Sequence, residues 1–310
     1  MDIKPDASPY QLQKTFEQET TQYEWSRGLD FSRLRATDNV IREAPDGNVT
    51  FSTTMWDLCF PKFPPGALWH NTSIEVLRSI AGHREIRLHT LKSRVPEGEL
   101  TTFARQHGLD GYLTSTESGG HRSVKLQHEV FCPSAPPLVQ GPGRVIDTLA
   151  GELFYLSLTA SEETGHWSFG DVRLRLRVGL IQKRAELRQM KYASLDGTLS
   201  NPFSVLKGVA ERQFNRVFIP SGLSRVGAFF LPFYFEDEME VRLLIKKYGE
   251  CDQTQVLHAD ATGYIAVPID GEHERVKIDV LEVQNRNRSL DVEVAEIAAL
   301  LNVKHTQLED

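Results

Sequence analysis

The chain has 310 residues, of which 40% are hydrophobic and 25% charged, with a net charge of -7 and a mean hydropathy of -0.34. That balance is ordinary for a globular protein, not a disordered chain, and allows one large domain or two small ones. The acidic excess excludes a protein that holds nucleic acid through general basicity, though a local patch stays open. Cys59, Cys132 and Cys251 are few, far apart and odd in number, which suits a reducing compartment and offers neither a disulfide framework nor zinc-site spacing.

The N-terminal stretch MDIKPDASPYQLQ has no basic region followed by an apolar one, and no window approaches the roughly 20 apolar residues of a membrane span. A cytoplasmic protein, or one delivered without such a signal, is expected. Residues 1–60 are polar and mixed, with a helix expected over 11–27 and an extended piece over 48–54; they read as an N-terminal appendage. The Pro/Gly break PKFPPG then marks a boundary, and residues 61–310 read as the main domain.

Beyond it, ALWH is a short strand and Asn71, Thr72 or Ser73 can cap the helix IEVLRSIAGH, whose Ile74, Leu77 and Ile80 follow helical spacing. REIRLHTLK alternates like a half-buried strand. Residues 99–108 read as a helix stopped by Gly108, followed by strands in GYLTST and SVKLQHEVF and by a second break, CPSAPPLVQGPG, whose GPGR is a turn. ELFYLSLTAS is a strand, and in DVRLRLRV the residues Val172, Leu174, Leu176 and Val178 alternate with Arg173, Arg175 and Arg177. The arginine row reads as a solvated strand face or as a partner surface.

NPFSVLKGVAERQFNRVF has loop and helix character, FEDEMEVRLLIKK reads as a strand opening on acids, and the end gives GYIAVPID, VKIDVLEVQ and an amphipathic helix in VEVAEIAALL. Strands outnumber long helices without βαβ alternation, so the expected class is α+β. No phosphate-binding Gly-rich loop, dinucleotide fingerprint, HExxH or GxSxG is present.

Three segments carry candidate chemistry. LWHNTS places His70 at a strand end with Thr72 and Ser73 beside a helix N-terminus, where anions are favoured; its plain alternative is an ordinary cap. FYLSLTAS puts Ser157, Thr159 and Ser161 on one strand face with Trp167 beyond it, either a ribose-and-ring platform or a surface face. EMEVR puts Glu238, Glu240 and Arg242 on one face, either a functional carboxylate pair or a solvated edge.

In their order, LWHNTS with its helix and strand, FYLSLTAS with Trp167, MKYAS and EMEVR resemble an uncharacterised bacterial family found among candidate toxins and phage-defence proteins. Its first strand has the form LYHYTS and its last site segment the form ExEYR. The resemblance spans about residues 68–301; Asn71 stands where the family has Tyr, VPEGE replaces its Asn-Asp-Pro-x-Glu, and residues near 99–150 look like an insertion.

A His on the first strand, a Ser/Thr strand and a terminal Glu-x-Glu further resemble the ADP-ribosyltransferases. That likeness implies split mixed or antiparallel sheets clasping NAD as substrate; the cysteine and histidine spacing separately gives no expected metal site. It implies that His70 bonds the NAD ribose, with Thr72 and Ser73 beside it, and that Ser157 and Thr159 orient the second segment. Trp167 would pack near nicotinamide and Arg242 would line the same site. Glu240 would stabilise an oxocarbenium-like transition state, and Glu238 would position or deprotonate a protein or nucleic-acid acceptor. An ADP-ribosyltransferase or an NAD glycohydrolase is therefore expected. The alternative is a non-catalytic binding or regulatory module that keeps the fold, which the departures at Asn71 and VPEGE favour.

Overall fold

Apolar side chains two apart on strands, and three or four apart on helices, set which elements form and which faces they bury. The computed structural model describes residues 7–37, 40–109, 150–161, 169–182, 185–195, 200–247, 252–259, 262–269 and 271–308. Its helices are α1 (Pro9–Thr20), α2 (Thr50–Cys59), α3 (Ile74–His83), α4 (Thr101–Gln106), α5 (Pro202–Phe214), α6 (Leu223–Val226) and α7 (Asp291–Leu301). Its strands begin with β1 (Leu34–Thr37), β2 (Val40–Glu43), β3 (Gly66–Thr72), β4 (Glu85–Thr90), β5 (Leu153–Thr159), β6 (Val172–Leu180), β7 (Ala185–Gln189) and β8 (Lys191–Tyr192). They continue with β9 (Val217–Phe218), β10 (Phe230–Leu231), β11 (Glu240–Lys246), β12 (Leu257–Ala259), β13 (Thr262–Pro268), β14 (Val276–Asn285) and β15 (Lys304–Gln307). The fold is α+β, with mixed sheets and flanking helices.

Contacts divide the chain into two compact units, one of Met1–Pro61, Thr101–Val145 and Ala193–Gly227, the other of Lys62–Leu100, Ile146–Tyr192 and Ala228–Asp310. Residues 1–61 thus share a unit with two later pieces of chain. In this first unit β1, β2 and β9 form a small sheet. Its interior is aromatic: Phe16 stacks on Phe31 and Phe214, and Trp56 lies against Phe203.

Two expectations fail in this unit. The helix expected over 11–27 ends at Thr20, where the hydroxyls of Thr20 and Thr21 bond back to the carbonyls of Phe16 and Glu17 and a 3-10 turn, Glu24–Gly28, follows. The piece expected to be extended over 48–54 opens α2 instead. Its amides have partners that local sequence does not reveal: the Glu43 carboxylate accepts from the N–H groups of Phe51 and Ser52, and Asn48 accepts from Thr50.

The second unit is built on the ten-stranded sheet, ordered β12-β13-β4-β5-β3-β6-β14-β15, with β11 and then β7 continuing from β5. One face buries a single apolar cluster in which Leu68, Ile86, Leu156, Leu174, Leu243 and Val283 from the strands meet Leu77 of α3 and Ile297 of α7. Ser73 caps α3 by accepting from the Val76 amide, so of the three candidate caps it is the one used.

β11 is an interior strand, paired along its length with β5 and also with β7. It starts at Glu240, because residues 233–238 form a 3-10 turn and Met239 takes a left-handed conformation, φ 42°. The strand expected to open on a row of acids therefore opens on one buried acid. Strand β5 likewise stops at Thr159, leaving Ser161 beyond it. The strands expected in GYLTST and SVKLQHEVF, the GPGR turn and Trp167 lie outside the described residues. No described helix is long and apolar enough to cross a membrane.

Candidate active site

β3 and β4 both run antiparallel to β5, and α3 connects them. β4 pairs with β5 only at Phe154 and Tyr155, and β3 only at Thr159. Between them, among the described residues, this edge of β5 at Leu156, Ser157 and Leu158 has no strand partner, and a gap opens between β3 and β4. Backbone polar groups at such a gap need another partner. For Ser157 it is His70, whose Nδ1 lies 3.0 Å from the Ser157 carbonyl oxygen. A carbonyl only accepts, so Nδ1 is assigned the proton and the neutral ring keeps Nε2 as an acceptor. Burial lowers the His70 pKa and so favours that neutral form.

The side chain of Ser157 points to Glu240. Its Oγ donates to Glu240 Oε1 at 2.7 Å, so one serine touches His70 through its carbonyl and Glu240 through its hydroxyl. The register explains this: Arg242 lies opposite Ser157 and Glu240 opposite Thr159, and Glu240, Arg242, Ser157 and Thr159 share a face.

Arg242 is fully enclosed. Its Nε and Nη2 donate to Glu240, at 2.8 and 3.1 Å, Nη1 and Nη2 donate to the two oxygens of Glu99, at 2.8 and 2.9 Å, and Nη1 also donates to the Ala228 carbonyl at 2.7 Å. These contacts use all five of its N–H donors. Arg242 was expected to line a ligand site, but it has no donor left for a ligand, and its place is behind Glu240. Burial alone would lower its pKa; the carboxylates of Glu240 and Glu99 outweigh that and raise it. Its guanidinium also lies 4.8 Å from the centre of the Tyr155 ring.

Tyr192, in the MKYAS segment, accepts from the Glu240 amide at 3.0 Å, and burial pushes its phenol up to about 12. Glu238 does not share the strand face with Glu240. It reaches the same cleft from the end of the 3-10 turn, where burial, and next the Glu240 charge, push its carboxyl up to about 7.

His70, Ser157, Glu238 and Glu240 line a cleft of about 620 Å³ in the second unit. His70, Asn71 and Thr72 lie on one wall, Ser157, Thr159, Glu238 and Glu240 on another, and Glu85, Arg87 and His89 on the β4 side. Val76 and Phe169, both exposed apolar residues, also line it. Thr72 and Thr159 are buried, and Thr159 Oγ1 accepts from the Ser161 amide. Ser73, expected to meet a ligand, spends its hydroxyl on the α3 cap and on Glu75. Gly170, φ 141°, brings its backbone against the end of β3: a Cβ there would lie 2.2 Å from the Thr72 carbonyl oxygen.

Of the residues expected from sequence, His70, Thr72, Ser157, Thr159, Glu238 and Glu240 line one cleft. Glu99, Tyr155 and Tyr192 carry no such expectation. Glu99 closes VPEGE, the segment where the resemblance departs, and its role depends on a partner 143 residues away. Among the described residues no group of three or more His, Cys, Asp or Glu is placed to hold a metal ion. No known family model, curated protein or solved structure matches the chain.

Proposed function

We propose that the protein consumes NAD, breaking its nicotinamide–ribose bond and passing ADP-ribose to a protein or nucleic-acid acceptor, on a fold of the ADP-ribosyltransferase type. The observation that carries this reading is that Ser157 joins His70 and Glu240 at one gap in the sheet. A cleft of about 620 Å³ falls within the range of roughly 300–1,000 Å³ typical of small-molecule sites, and it offers aromatic walls beside polar groups.

In this reading His70 Nε2 accepts from a ribose hydroxyl. The electron pair of the breaking bond leaves with nicotinamide, and positive charge develops on the ribose. Glu240, fixed by Ser157 and Arg242, stabilises that charge without having to reorganise. The acceptor forms the new bond to the ribose carbon, and Glu238 takes its proton. With a pKa of about 7, Glu238 is about half in the basic form near neutral pH.

One observation favours the non-catalytic alternative: Glu240 already accepts three hydrogen bonds within the protein. Nicotinamide release during incubation with NAD separates the two. Release supports the enzyme; a rise in melting temperature with NAD but no release supports the binding module.

A further inference from the structure

Among the described residues two arginines line the cleft, Arg87 and Arg94. Arg94 is held by Glu97 at 2.6 Å and lies 3.8 Å from Glu99. Arg87 is held differently. Its Nε donates to Glu85 at 2.9 Å, and its guanidinium lies 4.7 Å from the centre of the Tyr264 ring. These contacts occupy one edge and one face of the planar group. Among the described residues neither terminal amino group of Arg87 makes a hydrogen bond, so that edge remains for a ligand. His89, two residues on, shares the face with Arg87 and with Ser157, because Ile86 and Leu88 point into the core.

Another place for an anion beside this cleft is the N-terminus of α3. Ser73 already caps it, and the carboxylate of Glu75 stands in its first turn, where it opposes a second negative charge. An anion is therefore better matched by the β4 wall. A guanidinium edge fits two phosphate oxygens, and a planar group steadied by Glu85 and Tyr264 loses little freedom on binding.

We infer that Arg87, with His89, forms the phosphate-binding subsite of the cleft and takes the diphosphate of a dinucleotide. This rests on the reading of the cleft as an NAD site, and the test separates the two.

Full-length protein, R87Q and R177Q, the last removing an exposed arginine on β6, are titrated with ADP-ribose, adenosine and inorganic pyrophosphate. The wild type and R177Q should bind ADP-ribose on the order of tenfold more tightly than adenosine, and R87Q should lose that advantage, and pyrophosphate binding, while keeping adenosine. If R87Q is folded and binds ADP-ribose as the wild type does, the phosphate subsite is overturned and the NAD reading stands. If pyrophosphate binds through Arg87 but ADP-ribose and NAD do not bind, the subsite stands and the NAD reading falls. If nothing binds to the wild type, both fall. Should R87Q not fold, the His89 ring resonances of the wild type decide. Pyrophosphate should shift them and raise the His89 pKa, which partial burial and the Arg87 charge hold low, and no response would overturn the subsite.

Discussion

Glu240 and Arg242 stand two residues apart on β11 and are joined by two hydrogen bonds, at 2.8 and 3.1 Å, in a place closed to solvent. Two carboxylates, Glu240 and Glu99, share this one guanidinium. Arg242→Met leaves Glu240 buried without its cationic partner and leaves Glu99 with only Arg94, 3.8 Å away, and breaking a buried pair in this way costs roughly 3–5 kcal/mol. Urea unfolding should show that loss. Arg242→Lys should fall between, since an ammonium keeps the charge but cannot reproduce the fork. In the folded Lys variant, kcat for NAD consumption should fall more than KM rises, because the disturbed group is the one that holds Glu240.

Glu238 supplies a pH signature. Its pKa is raised from 4.5 to about 7 in the folded chain, so the folded state holds this proton more tightly than the unfolded one. The stability it contributes is complete below about 4.5 and is lost as pH rises through about 7. Transfer to an acceptor should change in the opposite sense, rising through about 7 as the base form appears. Glu238→Gln should flatten both profiles, as read by melting temperature and by initial rate. A transfer rate in this variant that still rises about tenfold over that interval would rule out Glu238 as the base.

Gly170 tests the geometry at the end of β3. An alanine there would place Cβ 2.2 Å from the Thr72 carbonyl oxygen, at a φ of 141° that L residues rarely adopt. Gly170→Ala should cost on the order of 1–3 kcal/mol in stability, from backbone strain. It should also raise KM for NAD, since Thr72 and Phe169 both line the cleft. An unchanged melting temperature and KM would show that the backbone approach is not maintained in solution.

The strands that alternate cleanly were readable from sequence. Val172 to Val178, Ile86 with Leu88, and the Ser73-capped helix all form as their spacing predicts, because each carries its own local signal. The start of β11 was not readable. Alternation alone extends the strand back through Glu238, whereas a left-handed residue at Met239 ends that run. Among the site residues, His70, Ser157 and Glu240 were found through the order of short segments. The tie between them was not, since it depends on a gap between β3 and β4 that no local pattern encodes. The part played by Arg242 was hidden for the same reason: its position on β11 is visible in sequence, but its bond to Glu99 is long-range.

Glu240→Gln removes the charge that faces the developing positive charge on the ribose. The amide is nearly the same size, and the site keeps Ser157, Arg242 and Tyr192 around it, so circular dichroism and a melting curve can establish whether the fold is retained. Nicotinamide release from NAD is then measured for wild type and variant at equal concentration. The wild type should release nicotinamide and the folded variant should lose on the order of a hundredfold or more of that rate, as expected when a group stabilising transition-state charge is removed. A folded Glu240→Gln protein that releases nicotinamide at the wild-type rate, or a wild type that releases none, would show that Glu240 does not stabilise such a charge.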